Sequence, residues 1–146
     1  MPPGELTFVD TNVLVYAPDT SEPLKQPIAR ALLEELWRQG TGVLSTQVLQ
    51  EFYVVATRKY DPPMSRVLAR RLVAHYANWQ IVGVDMPLII SASELEEEHS
   101  LSFWDALVVE AARRAGATRL ATEDMQDGRE FGDLQIHDPF KEASST

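Results

Sequence analysis

The chain contains no cysteine, which excludes disulfide staples, thiolate zinc sites, iron–sulfur clusters and a cysteine nucleophile together. Histidine is scarce as well: His75, His99 and His137 lie far apart in 146 residues, so a histidine-rich zinc site is not expected. Positive charge is in deficit, with 13 Lys and Arg against 22 Asp and Glu and a formal net charge of -9. A broadly basic nucleic-acid coat is thereby excluded, and any polyanion must be met locally or through a cation. No apolar run approaches the roughly 18 residues of a membrane span. The first basic residue is Lys25, so the N-terminus lacks the charged start of a signal peptide. These absences predict a soluble, cytoplasmic protein without a membrane partner. The glycine-rich dinucleotide and P-loop signatures, G-x-S-x-G, H-E-x-x-H and the EF-hand loop are also missing, which removes the main support for dinucleotide, P-loop and serine-hydrolase chemistry.

At 16.4 kDa and 45% hydrophobic, the chain suits one globular domain that buries roughly two-thirds of its unfolded surface. That domain is expected over residues 1–140. The tail 141–146 has no apolar anchor and is expected to fray. Leu6-Thr7-Phe8-Val9 reads as a buried strand, and Val13 to Ala17 as the helix that follows it. Leu24, Ile28, Ala31, Leu32 and Leu36 recur at helical spacing until Gly40. Gly42–Ser45 and Ile81–Val84 read as strands two and three. Helices are expected from Thr46 to about Lys59, from a Ser65 cap to Asn78, from Pro87 through Leu95 to an end in the acidic Glu96-Glu97-Glu98 run, and from Ser102 to Gly116. Arg119–Ala121 and Leu134–Ile136 complete the set. Strands alternating with helices predict an α/β domain, a mainly parallel sheet of about five short strands with helices on both faces. In such sheets, sites lie beyond the carboxyl ends of the strands.

Four carboxylates stand in apolar surroundings, where an ionised side chain is costly unless paired, protonated or metal-bound. Asp10 follows the first strand, and as an alternative reads as an Asx turn or helix N-cap. Glu51 projects beside Val48 and Val55, or else snorkels to solvent from the edge of that stripe. Asp105 has Val108, Val109 and Ala112 as helical neighbours, while Ser102-x-x-Asp105 also has the form of a capping box. Asp124 follows the fourth strand in Thr122-Glu123-Asp124-Met125-Gln126-Asp127-Gly128, a segment that also reads as a common acidic turn. A parallel sheet would gather strand-end acids on one edge. Their repulsion is relieved by a hard divalent cation, Mg²⁺ or Mn²⁺, and such a site suits phosphodiester hydrolysis. Arg58, Lys59, Arg66, Arg70 and Arg71 form the one basic concentration, which either tracks a phosphate backbone or is a solvated helix face.

Phe8-Val9-Asp10-Thr11-Asn12-Val13-Leu14-Val15-Tyr16, Gln50-Glu51-Phe52, Ser102-Phe103-Trp104-Asp105-Ala106-Leu107-Val108 and Thr122 to Gly128 together resemble PIN-domain ribonucleases, especially VapC-type toxins of toxin–antitoxin modules. The resemblance spans nearly the whole chain. It implies a PIN-like, Rossmann-like three-layer α/β/α fold, a Mg²⁺- or Mn²⁺-dependent endoribonuclease, a homodimer, and a cognate antitoxin that inserts near the active site. By position, Asp10, Glu51, Asp105 and Asp124 match the family's acids, with Asp10 and Asp105 the foremost metal ligands. Thr11, Asn12 and Thr122 match the small polar residues that orient them, and Asp127 would assist through water. Attack by water without a covalent enzyme intermediate is expected. Two rivals remain. Asp10-Thr11-Asn12-Val13-Leu14 also looks like the opening motif of haloacid-dehalogenase-like phosphatases, with Asp10 as nucleophile, although Asn12 replaces the usual second aspartate. The other is a non-catalytic PIN-fold module that binds a protein partner.

Overall fold

The computed structural model describes residues 4–144. Its elements run β1 (Thr7–Val9), α1 (Thr11–Tyr16), α2 (Lys25–Gln39), β2 (Gly42–Ser45), α3 (Thr46–Arg58), α4 (Arg66–His75), β3 (Gln80–Val82), α5 (Met86–His99), α6 (Phe103–Arg114), β4 (Arg119–Ala121), β5 (Glu130–Phe131), β6 (Leu134–His137) and α7 (Lys141–Ser144). A short 3₁₀ turn, Tyr76–Asn78, joins α4 to the approach of β3.

The six strands pair in the order β3-β2-β1-β4-β6-β5. All pairings are parallel except the β5–β6 hairpin. In the centre, Phe8 lies opposite both Val43 and Leu120. Every residue of β1 and β2 is buried, as required of strands covered by helices on both faces. The fold is thus the expected α/β architecture with a mainly parallel sheet, extended by one strand. Glu130–Phe131 went unforeseen because two residues are too short for any hydrophobic period to register.

Several boundaries differ from the sequence reading, each for a physical reason. The α2 face is turned: Ala29, Leu33 and Leu36 are buried at i, i+4 and i+7, whereas Ala31 is exposed and Leu24 precedes the helix in solvent. Strand β3 spans Gln80–Val82, so Gly83 and Val84 belong to the connection, where the Val84 N–H donates to Thr46 Oγ1 at 3.3 Å. Helix α5 runs through Leu95 and the acidic Glu96-Glu97-Glu98 run, as expected, and closes one residue later at His99. Glutamate is a good helix former, and the helix ends where Ser100 takes a left-handed conformation with φ 55°. Helix α4 closes at His75, with the 3₁₀ turn accounting for the rest of the expected span. Lys141–Ser144 forms a helical turn after the buried Phe140, and residues 145–146 of the expected tail lie outside the described residues.

Three contacts lock the frame, the first at the amino ends of the strands and the other two around α1. Gly42 is indispensable where it stands, since a Cβ there would lie 2.3 Å from the Trp79 ring. Tyr60, beyond α3, donates its hydroxyl to the Val15 carbonyl and ties α3 to α1. Lys25 on α2 lies 4.8 Å above the Tyr16 ring, which meets Phe140 edge-on at 5.1 Å.

Candidate active site

Because β2, β1 and β4 are adjacent and parallel, the residues that follow them share one edge of the sheet. Asp10 follows β1 and serves as N-cap of α1, its Oδ1 accepting from the Thr11 N–H at 2.7 Å. The cap reading and the site reading of Asp10 therefore describe one residue. Its other oxygen accepts from the Thr122 hydroxyl at 2.9 Å, and the residue is only 5% exposed. Burial pushes its pKa up to about 7; the two hydrogen bonds oppose the rise, and the charges of Asp124 and Glu51 add to it.

Glu51 comes from the second turn of α3, which Ser45 caps through the Val48 N–H. Thr11 donates its hydroxyl to Glu51 Oε2 at 2.7 Å, and Gln47 Nε2 donates to Oε1 at 3.2 Å. Asp105 lies in the first turn of α6, where its N–H donates to the Ser102 hydroxyl at 3.1 Å. Half-burial raises its pKa, the Ser102 hydrogen bond lowers it, and Asp124 and Glu51 raise it further through their charges. Asp124 Oδ2 accepts from Asn12 Nδ2 at 3.1 Å. The four acids thus share one electrostatic neighbourhood, coming from positions 10, 51, 105 and 124.

Asn12 organises the β4–β5 connection. Its Nδ2 donates to Thr122 Oγ1 and Asp124, and its Oδ1 accepts from the Glu123 N–H at 3.3 Å. A cleft of about 580 Å³ lies beside two of the acids, Glu51 and Asp124, with Thr11, Asn12, Tyr16 and Lys59 also lining it; Asp10 and Asp105 do not border it. Asp127 stands apart from this group. Its carboxylate accepts from the Asp138 N–H at 2.8 Å and faces Lys141 Nζ at 3.4 Å, contacts that hold its pKa below the usual range. It secures the C-terminal turn.

Sequence reasoning missed two groups. Buried Gln47 holds Glu51 and also reaches the Trp104 carbonyl at 3.4 Å; its i−4 spacing from Glu51 was a readable signal. Tyr16 and Lys25 both bind Glu123, through the Tyr16 hydroxyl and through Lys25 Nζ at 3.0 Å. That clamp joins residues about a hundred positions apart, for which no local pattern exists. Of the five basic residues, Lys59 borders the acidic cleft, while Arg58, Arg66 and Arg70 line a separate pocket.

The donor set fits a hard divalent cation. Four carboxylates with hydroxyl neighbours offer oxygen ligands, and no lysine, arginine or histidine of the described residues forms an ion pair with any of the four. Among the described residues, no three acids or imidazoles converge as a finished cage. Glu51 accepts from Thr11 and Gln47, and Asp124 accepts from Asn12.

The fold and site define an α/β domain with a mainly parallel sheet and four acids that share one electrostatic neighbourhood near its carboxyl edge. More narrowly, the chain belongs to the PIN-domain family, whose model matches residues 7–127. It is similar to "Ribonuclease VapC23" of Mycobacterium tuberculosis, 31% identical over 123 residues, covering 82% of this chain and 93% of the relative. In fold it resembles a "Toxin-antitoxin complex from Klebsiella pneumoniae" at TM-score 0.66 and 17% identity, covering 91% of this chain and 97% of that one. It also resembles the Mycobacterium tuberculosis VapC20 structure, titled a "Sarcin-Ricin loop cleaving toxin", at TM-score 0.64 and 20% identity, covering 88% and 98%. PIN membership displaces the phosphatase reading. Asn12, where that reading needs a second aspartate, is engaged in holding Thr122 and Asp124.

Proposed function

We propose that the protein is a Mg²⁺- or Mn²⁺-dependent endoribonuclease and the toxin component of a type II toxin–antitoxin system. The observation that carries this reading is the uncompensated acidic cluster: buried Asp10, electrostatically coupled to Glu51 and Asp124, with Asp105 coupled to the same two. Asp10 and Asp105 are the foremost ligands, completed by Glu51 and Asp124. When bound, the cation neutralises these charges, activates water and stabilises the scissile phosphate. Thr122 and the Thr11 N–H fix the orientation of Asp10, and the Thr11 hydroxyl with Gln47 fixes Glu51. Asn12 holds the fourth acid. Water is the nucleophile, and no covalent enzyme intermediate forms.

The ribonuclease named among the relatives supports RNA as substrate, as do the five basic residues, none of which forms an ion pair among the described residues. Toxin–antitoxin complexes among the structural neighbours support a cognate antitoxin partner, and a homodimer is expected with it. Among the described residues no helix is long and apolar enough to cross a membrane.

Purified protein, freed of any co-purifying partner, should cut total or structured RNA with Mg²⁺ or Mn²⁺. Cutting should stop with chelator and in Asp10→Ala. Cleavage that survives both would overturn the reading, and silence of the wild type with metal bound would favour a protein-binding module.

A further inference from the structure

Arg58 at the end of α3, and Arg66 and Arg70 one turn apart on α4, line a single pocket of about 450 Å³ with Tyr53 and Thr57. No carboxylate borders this pocket, and none of the three arginines forms an ion pair among the described residues. Three converging guanidiniums without a counter-charge repel one another, and such a cluster is complementary to a phosphate, which guanidinium binds in bidentate fashion.

The pocket is not isolated. Between it and the acidic cleft runs a trough of about 480 Å³ whose apolar side chains are Leu49, Tyr53, Val54 and Val73. Gln50 and Val54 border both the cleft and the trough, and Tyr53 and Arg70 border both the trough and the arginine pocket. Gln50, Tyr53, Val54, Thr57 and Arg58 follow one another at i, i+3, i+4, i+7 and i+8, so one face of α3 carries the whole route. From Gln50 to Arg58 it covers roughly 12 Å at the rise of an α-helix.

We infer that this route holds the single-stranded part of the RNA substrate beyond the cut: bases against the Tyr53–Val54 trough, and a backbone phosphate other than the scissile one in the Arg58–Arg66–Arg70 pocket. Alternation of apolar surface with unpaired cations suits a single strand, which presents base faces and phosphates in turn. An acidic peptide would satisfy the arginines but presents no succession of base faces to the apolar trough. The inference rests on the nuclease reading and narrows it, because it divides five basic residues by position. Arg71, adjacent to Arg70 on α4 and equally exposed, borders neither the trough nor the pocket.

The test is the salt dependence of binding of a fluorescent single-stranded oligoribonucleotide, without divalent metal, to Asp10→Asn protein that cannot cut it. Adding Arg66→Gln and Arg70→Gln should reduce the slope of log affinity against log salt by up to roughly 0.7, the contribution of one phosphate contact on a single strand. Adding Arg71→Gln instead should leave the slope unchanged. Equal slopes for all three proteins, or an equal drop in the Arg71 variant, would overturn the inference. So would polyglutamate binding lost in the double variant while RNA binding is kept, which would assign the pocket to an acidic protein segment. If the Asp10→Asn parent binds no oligoribonucleotide at low salt, this inference falls, while the nuclease reading on which it rests is decided separately by metal-dependent cleavage in the wild type.

Discussion

Asp10 concentrates the tension of the site. Burial holds its pKa near 7 against an ordinary value of 3.8, so the folded protein binds this proton more tightly than the unfolded chain does. Its contribution to stability is complete below the unfolded value and is lost as pH rises through the folded one. We expect metal-free wild type to lose on the order of 3 kcal/mol relative to Asp10→Asn between about pH 5 and pH 8; denaturant unfolding at both pH values checks this. Excess Mg²⁺ should restore much of the difference in the wild type alone, since ligation stabilises only the folded state. A stability gap independent of pH would mean that the carboxylate is already compensated. The sequence made Asp10 legible as a strand-end acid and as a helix cap. Its partner Thr122, 112 positions away, is legible as another strand-end residue, but the hydrogen bond that joins the two is not, because no local period links such residues.

The same division recurs among the elements. The alternation of strand and helix announced the parallel sheet, and Ser45, Ser65 and Ser102 all cap the helices that follow them. Harder to read were elements whose boundaries rest on tertiary contact, such as the two-residue β5 and the turned face of α2. Helix α6 shows how a boundary serves the site. Ser102 and Asp105 read both as a capping box and as a site, and both contacts are present: the Asp105 N–H donates to the Ser102 hydroxyl, and the Asp105 carboxylate, also hydrogen-bonded to Ser102, feels the charges of Glu51 and Asp124. We expect Ser102→Ala to cost about 1 kcal/mol, read as a fall in melting temperature of roughly 2–4 °C, with weakened metal uptake. Ser102→Thr should recover both. If Ser102→Ala loses stability but binds metal as the wild type does, the cap is purely structural.

Across the whole molecule, a net charge of -9 opposes RNA, while Arg58, Lys59, Arg66, Arg70 and Arg71, none in an ion pair among the described residues, concentrate positive charge along α3 and α4. Global composition thus pointed away from nucleic acid while the local arrangement points toward it, and only the fold shows that Arg58, Arg66 and Arg70 share one pocket while Arg71 does not. The acids follow the same logic, since four carboxylates scattered over 115 positions of sequence become one neighbourhood once β1, β2 and β4 lie side by side. Whether that neighbourhood takes up a cation decides the functional reading, and calorimetric titration of Mn²⁺ into the metal-free wild type, Asp10→Asn and Asp105→Asn asks it directly. We expect saturable binding to the wild type and a loss of at least about tenfold in affinity in each variant. A wild type that takes up no Mn²⁺, or variants that bind it equally well, would contradict the metallonuclease reading.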